Sequence, residues 1–214
     1  MGSVSLKQSK LAEAQARFLR ATQLQSAYPD TLPDAWNNLG LLATRNGRMT
    51  DAIQYFKKSL ELSPDHMVAL VNLGNAYRQQ RRWDDARAIF ERAVAVGPQD
   101  PEANYGLAMV YAQLNDTSRA HEYLQKALAL RPAYPEALNN LGILYLRTAQ
   151  RDKAVASFEE CIHVAPDFNQ AYLNLARVYA LEGASENARK LLRQLLAQHP
   201  DDAQAKAALA QLPQ

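Results

Sequence analysis

A period of 34 residues constrains this chain more than any other feature. Units starting at Pro33, Met67, Pro101, Pro135 and Asn169 repeat in register, without an insertion, up to residue 202. Position 7 of each unit is Leu39, Leu73, Leu107, Leu141 or Leu175. Position 8 is small, as Gly40, Gly74, Ala108, Gly142 and Ala176. Position 20 is always alanine, at Ala52, Ala86, Ala120, Ala154 and Ala188. Position 24 is Phe56, Phe90, Leu124, Phe158 or Leu192, and position 32 is Pro64, Pro98, Pro132, Pro166 or Pro200. A module this short cannot bury an apolar face alone, so such self-similarity demands a stack of neighbours. Small residues at 8 and 20 let two helices approach closely, and large apolar ones at 7 and 24 fill the space around them. The proline at 32 cannot continue a helix and closes each unit.

The pattern Trp36-x2-Leu39-Gly40, then Ala52-x3-Phe56 and Pro64, resembles the tetratricopeptide repeat family. The resemblance covers residues 33–202. It implies an all-α fold, a right-handed α-α superhelix of helix–turn–helix repeats at 33–66, 67–100, 101–134, 135–168 and 169–202. Helix A is expected over positions 1–14 of each unit and helix B over 18–31. Residues 1–6 read as an expression leftover without structure. Residues 7–32 read as a partial unit, because Ala14-x3-Phe18-x2-Ala21 repeats the 20–24–27 spacing of a B helix. Residues 203–214 read as a capping helix that ends before Pro213, with one face for the last unit and one for water. Gly47 and Gly183 occupy position 15, where the turn between helices favours positive φ. Arg81, Asn115 and Ala149 stand there in the other units. Arg and Ala adopt that conformation at a cost, so their turns are expected to differ locally. Thr50, Thr117, Ser118, Asp152 and Ser185 are expected to cap the B helices.

Composition narrows the function. Hydrophobic residues make up 48% of the chain, ample for a continuous core. The net charge is +2, and the basic cluster Arg78, Arg81, Arg82 runs straight into Asp84 and Asp85. Neither a nucleic acid nor a membrane surface is therefore expected as a partner. No apolar run of 18 residues suggests a membrane-spanning helix. Cys161 is the only cysteine, which fits a reducing compartment without demanding one. It stands at position 27, where other units carry Ser59, Ala93, Ala127 and Leu195, and reads as a small packing residue. His66, His121, His163 and His199 fall at four different unit positions. No metal site, no cofactor and no catalytic residue is expected, and the reading is of a non-enzymatic protein.

One row of residues needs its own explanation. Position 6 is Asn38, Asn72, Gly106, Asn140 and Asn174. Asparagine inside a helix costs about 0.5 kcal/mol against alanine. In the tetratricopeptide repeat family the A helices line the concave face, with positions 2, 5, 6, 9, 12 and 13 turned into the groove. The row resembles the asparagine ladder in the repeat superhelix of O-linked N-acetylglucosamine transferases, which grips the backbone of an extended polypeptide. A carboxamide offers a donor and an acceptor, as does each peptide unit. With helices ~8–10 Å apart, one rung would meet roughly every third residue of an extended chain. Gly106 breaks the row. The alternative is that these asparagines satisfy partners inside the stack.

The resemblance puts further residues in the groove. Asn37, Leu41, Arg45, Asn75, Arg78 and Gln79 come from the first two units. Tyr105 and Met109, one turn apart, would form an apolar patch beside Gly106, with Gln113 beyond. Asn139, Ile143, Arg147 and Arg177 come from the last two units. A chaperone-type carboxylate clamp is not reproduced: its positions hold Asn37, Leu41, Asn72, Glu102 and Gly106, and an acid there would repel a carboxylate. The expected function is a protein–protein interaction scaffold that binds an extended peptide segment in the concave groove. A self-assembling homo-oligomer is one alternative. The substrate-recruiting arm of a larger glycosyltransferase is the other.

Overall fold

The computed structural model describes residues 16, 20 and 32–213. The partial unit expected over 7–32 lies outside the described residues, apart from Ala16, Arg20 and Leu32. Eleven α-helices follow among the described residues. They are α1 (Leu32–Arg45), α2 (Met49–Leu62), α3 (Met67–Gln79), α4 (Trp83–Val96) and α5 (Pro101–Gln113). The remainder are α6 (Thr117–Leu130), α7 (Pro135–Arg147), α8 (Arg151–Val164), α9 (Asn169–Leu181), α10 (Ser185–Gln198) and α11 (Ala203–Gln211). Odd-numbered helices up to α9 are A helices and even-numbered ones are B helices. From the second repeat on, the A helices cover positions 1–13, and every B helix covers 17–30. The B helices thus sit one residue N-terminal to the expected bounds, and the A helices from the second repeat on start as expected and end one residue early.

The chain forms two compact units, one ending at Asp116 and one beginning at Thr117. The first holds α1–α5. Its packing rests on rings seated in notches. Phe56 and Phe90 are buried, and a side chain at Gly40 would overlap the Phe56 ring. A Cβ at Gly74 would lie 2.8 Å from the Phe90 ring. Ala52, Ala86 and Ala93 are fully enclosed between the paired helices. Burying one such ring contributes roughly 1.5–3 kcal/mol.

The second unit holds α6–α11 and reuses the device. A Cβ at Gly142 would lie 2.6 Å from Phe158, which packs with Ala154, Leu175 and Val178. Tyr172, Leu192 and Leu195 fill the next layer, closed by Ala205 of α11. Tyrosine at position 11 ties consecutive repeats within each unit. Tyr111 donates to Glu91 at 2.9 Å, and Tyr179 donates to Glu159 at 3.1 Å, both across 20 residues. Burial, followed by the Glu159 hydrogen bond, raises the Tyr179 hydroxyl above its ordinary pKa.

The five A-to-B turns share one geometry, which corrects the expectation that some would differ. Position 15 has φ of 72° and 76° at Gly47 and Gly183, and 57°, 60° and 57° at Arg81, Asn115 and Ala149. In each turn the N–H of position 16 donates to the carbonyl of position 11 at 2.9 Å, as Arg48 to Ala43 and Gln150 to Tyr145. That bond closes the Schellman ending of a helix, and it needs a left-handed residue just before the donor. The hydrogen-bond frame therefore overrides the side chain's preference. The expected B-helix caps are corrected too. Because B helices start at position 17, Thr50, Thr117, Ser118, Asp152 and Ser185 fall inside the first turn. The residues before α2, α4, α8 and α10 are Arg48, Arg82, Gln150 and Ala184, and none caps with its side chain.

Side-chain caps instead appear before A-type helices. Asp100 accepts from the Ala103 N–H at 2.7 Å, and Asp202 accepts from the Ala205 N–H at 2.8 Å. Asp202 also accepts from Asn169 at 2.7 Å, which fastens α11 to the start of α9. The Ala205 N–H, reinforced by the Asn169 amide, holds the Asp202 carboxyl below its usual pKa.

The turn geometry yields a stability test. A left-handed alanine costs about 1–2 kcal/mol that glycine avoids, less the extra freedom glycine has when unfolded. Ala149→Gly is expected to stabilise the chain by about 0.5–1 kcal/mol, raising Tm by roughly 2 °C. Thermal melting followed by circular dichroism measures it, and a lower Tm would contradict the shared-turn account.

Candidate functional site

The position-6 asparagines do not behave as one row. In the first unit Asn72, half-buried on α3, donates from Nδ2 to Oδ1 of Asn37 on α1 at 2.8 Å. In the second, Asn174 on α9 makes the same 2.8 Å bond to Asn139 on α7. Both bonds span 35 residues, from position 5 of one repeat to position 6 of the next. Asn37 and Asn139 are 4% and 5% exposed, and Asn174 is 7% exposed. Asn37 and Asn139 are therefore enclosed between helices, while Asn174, its Nδ2 donor taken by Asn139, still lines a cavity between α9 and α11. They are buried locks between successive A helices, where an unmade hydrogen bond would cost about 1–3 kcal/mol. Asn140 is half-buried and donates to the Glu136 carbonyl of its own helix at 2.7 Å. Asn38 is half-buried, and the repeat before it lies outside the described residues.

Gly106 interrupts the row for a packing reason. A side chain there would overlap the buried Phe90 ring, which already touches Gly74 on its other flank. The residue at position 5 of the preceding repeat is Val71, which has no acceptor to offer an asparagine. Lock and notch are alternatives: Asn37 with Asn72 in one interface, Val71 with Gly106 in the next.

The remaining expected groove residues gather in two places. On the first unit, Arg78 of α3 lies over the Tyr105 ring of α5 at 5.9 Å and donates to Asn75 at 3.3 Å. Asn75, Arg78, Tyr105 and Met109 are half-buried, while Leu41, Arg45, Gln79 and Gln113 are exposed. On the second unit, a cavity of about 510 Å³ lies between α9 and α11. Its α9 wall is Gln170, Leu173, Asn174, Arg177, Ala180 and Leu181, with Ala176 at its base. The first six stand at positions 2, 5, 6, 9, 12 and 13. Gln204, Ala208 and Gln211 of α11, at the matching places of a sixth half-repeat, form the opposite wall. Arg147 and Ile143 are not part of it. The volume falls within the ~300–1,000 Å³ usual for ligand clefts. Sequence reasoning missed Gln170, Gln204 and Gln211, though the repeat phase carried through to α11 would have marked them.

A serine–histidine–aspartate chain also assembles, from residues far apart in sequence. Ser59 Oγ lies 3.1 Å from His66 Nδ1, and His66 Nε2 lies 3.0 Å from Asp34 Oδ1. Ser59 is fully buried and donates to the Pro33 carbonyl at 2.7 Å. A hydroxyl sealed from solvent cannot meet a substrate, so this chain joins α1, α2 and the start of α3. Cys161 occupies the place of Ser59 and donates to the Pro135 carbonyl at 3.2 Å. Burial, with a smaller push from Glu136, raises its thiol to about 12, so it is protonated and unreactive. Among the described residues no group of three or more His, Cys, Asp or Glu could hold a metal ion. No helix there is long and apolar enough to cross a membrane.

Paired helices with tight position-15 turns and an amphipathic A-helix face define a helical repeat solenoid. Three tetratricopeptide repeat models match the chain, one over residues 31–99, one over 71–135 and one over 111–160 and 150–212. The chain belongs to the tetratricopeptide repeat family. Among solved structures it is similar to MamA, with 27% identity and a TM-score of 0.67, covering 77% of this chain and 96% of that one. It is also similar to YrrB, described as a tetratricopeptide repeat protein with an unusual peptide-binding site. That match has 25% identity and a TM-score of 0.64, covering 89% of this chain and 96% of YrrB. A curated relative, the uncharacterised protein ycf37 of Cyanophora paradoxa, is 27% identical over 77 residues. The match takes in 36% of this chain and under half, 45%, of ycf37. Fold and relatives together support a protein-interaction scaffold.

The Gly106 notch can be tested by the sign of one change. Helix propensity alone predicts that Gly106→Ala gains roughly 1 kcal/mol. Overlap with Phe90 predicts a loss of about 1–3 kcal/mol instead. Urea unfolding with the midpoint shifted down is expected, and a midpoint shifted up would contradict the notch.

Proposed function

We propose that this protein is a non-enzymatic scaffold whose A-helix faces hold an extended segment of another protein. The observation that carries the reading is the α9–α11 cavity, whose α9 wall is built from positions 2, 5, 6, 9, 12 and 13. The Arg78–Tyr105 pair gives the first unit a similar surface of mixed polar and aromatic character. Such a surface suits a peptide, because amides and guanidinium groups match its backbone while rings and aliphatic chains take its side chains. YrrB, the peptide-binding relative, supports the same assignment.

The hydrogen bonds already made inside the stack favour some of these residues over others as ligand contacts. Asn72 and Asn174 already spend Nδ2 donors on their locks. The contact surface is therefore better assigned to Asn38, Leu41, Asn75, Arg78, Tyr105 and Met109 in the first unit. In the second, Arg177 and the neighbouring glutamines are better placed than Asn139 or Asn174.

The test compares two faces at equal charge change. Peptides are first selected from a random dodecapeptide display library on the immobilised full chain. Leu41→Glu/Asn75→Glu, on A helices, is expected to weaken their binding by about tenfold or more, about 1.4 kcal/mol. Ala88→Glu/Ala95→Glu, on exposed B-helix sites, is expected to leave it unchanged. Loss with the B-helix variant alone would overturn the assignment.

A further inference from the structure

The cavity between α9 and α11 has a lopsided charge. Among the described residues Arg177 is the only charged residue in its lining, and no acidic side chain shares it. Arg177 is exposed, and among the described residues it has no ion-pair partner. Around it stand the carboxamides of Gln170, Gln204 and Gln211 and the aliphatic side chains of Leu181 and Leu212. Leu181 is 79% exposed, a large apolar surface left against water at the cavity's rim. A solitary guanidinium with five donors in a partly apolar cleft favours a planar carboxylate, which it can grip through two parallel hydrogen bonds.

We propose that this cavity is the specificity subsite for an acidic side chain, Asp or Glu, of an extended partner segment, with an aliphatic side chain about three residues away. The inference rests on the peptide-holding reading above and adds what the peptide must carry. The spacing follows from geometry. Packed helices lie ~8–10 Å apart, and an extended chain advances ~3.3–3.6 Å per residue. A segment crossing from α9 to α11 with its acid on Arg177 thus brings its third residue on to Leu212 and Ala208. Gln204 and Gln211 offer both donors and acceptors for the backbone between those anchors, and Gln170 adds its acceptor oxygen. Asn174, whose Nδ2 donates to Asn139 and whose Oδ1 accepts from Gln170 at 3.4 Å, shapes the wall without taking the ligand. The capping helix is then half of a binding site as well as the lid of the last repeat.

The test uses a soluble pool of random dodecapeptides, acetylated and amidated so that only side chains carry charge. Peptides retained by the immobilised full chain are read by mass spectrometry. The wild type is expected to enrich Asp and Glu at one position by about fivefold, roughly 1 kcal/mol, with Leu, Ile, Val or Met three residues away. Arg177→Glu, an exposed change checked by its melting curve, is expected to lose that preference and enrich Lys and Arg instead. Arg177→Lys is expected to keep the acid at reduced enrichment. A wild-type pool without acid preference, or one that Arg177→Glu leaves unaltered, overturns the subsite while leaving the peptide-holding face standing. Retention only of peptides with a free C-terminal carboxylate, in a parallel unamidated pool, overturns the side-chain assignment. A wild type that retains no peptide removes the peptide-holding reading together with the subsite.

Discussion

Within each unit the helix pairs depend on one close approach, a position-24 side chain pressed into the gap left by a small residue on the facing A helix. Where the ring is Phe56, Phe90 or Phe158, the gap is a glycine whose missing Cβ is the space the ring occupies. Position 20 is alanine in every repeat, and all five of these alanines are fully buried. The Phe90 seat is the tightest, with Gly74 on one flank and Gly106 of the next repeat on the other. A ring held in this way leaves few ways for a helix pair to slide. That fixes which A-helix residues face outward, and so what a partner can meet. Interiors are packed densely enough that even one methyl group is felt at such a seam.

Contacts between repeats are more varied. Asn37–Asn72 and Asn139–Asn174 use amide pairs, Tyr111–Glu91 and Tyr179–Glu159 use hydroxyl–carboxylate bonds, and Gly106 seats the Phe90 ring of the repeat before it. Each repeat needs only its neighbours, so each interface can reach its own solution. The same freedom explains why a position that looks like a ligand-binding row holds two structural locks, one self-bonded amide and one notch.

Much of this was legible in the sequence because it is periodic. The seam at positions 7, 8, 20 and 24, the helix count per repeat and the proline punctuation all recur five times. At Ala149 and Arg81 the residue's own preference points away from the left-handed turn, and the position-16 to position-11 hydrogen bond that overrides it is not visible in the sequence. The asparagine row was half-read. Asn37 and Asn139 at position 5 read as its companions in the groove, but the sequence does not show that position 5 bonds to position 6 of the next repeat, 35 residues on. Ser59, His66 and Asp34 meet only in three dimensions, and no spacing announced them. The α9–α11 cavity was hidden because Gln204 and Gln211 lie in a helix read as a cap alone, although they keep the phase of the repeat.

The central claim is that the A-helix face, and not the B-helix face, meets the partner. Amide chemical-shift mapping on the isotopically labelled full chain, titrated with a selected peptide, tests it most directly. The account predicts shifts concentrated on A-helix residues such as Leu41, Asn75, Gln79, Arg177 and Leu181, continuing onto Gln204 and Gln211. Shifts confined to exposed B-helix residues such as Ala88, Ala95, Ala156 and Lys190 would contradict it.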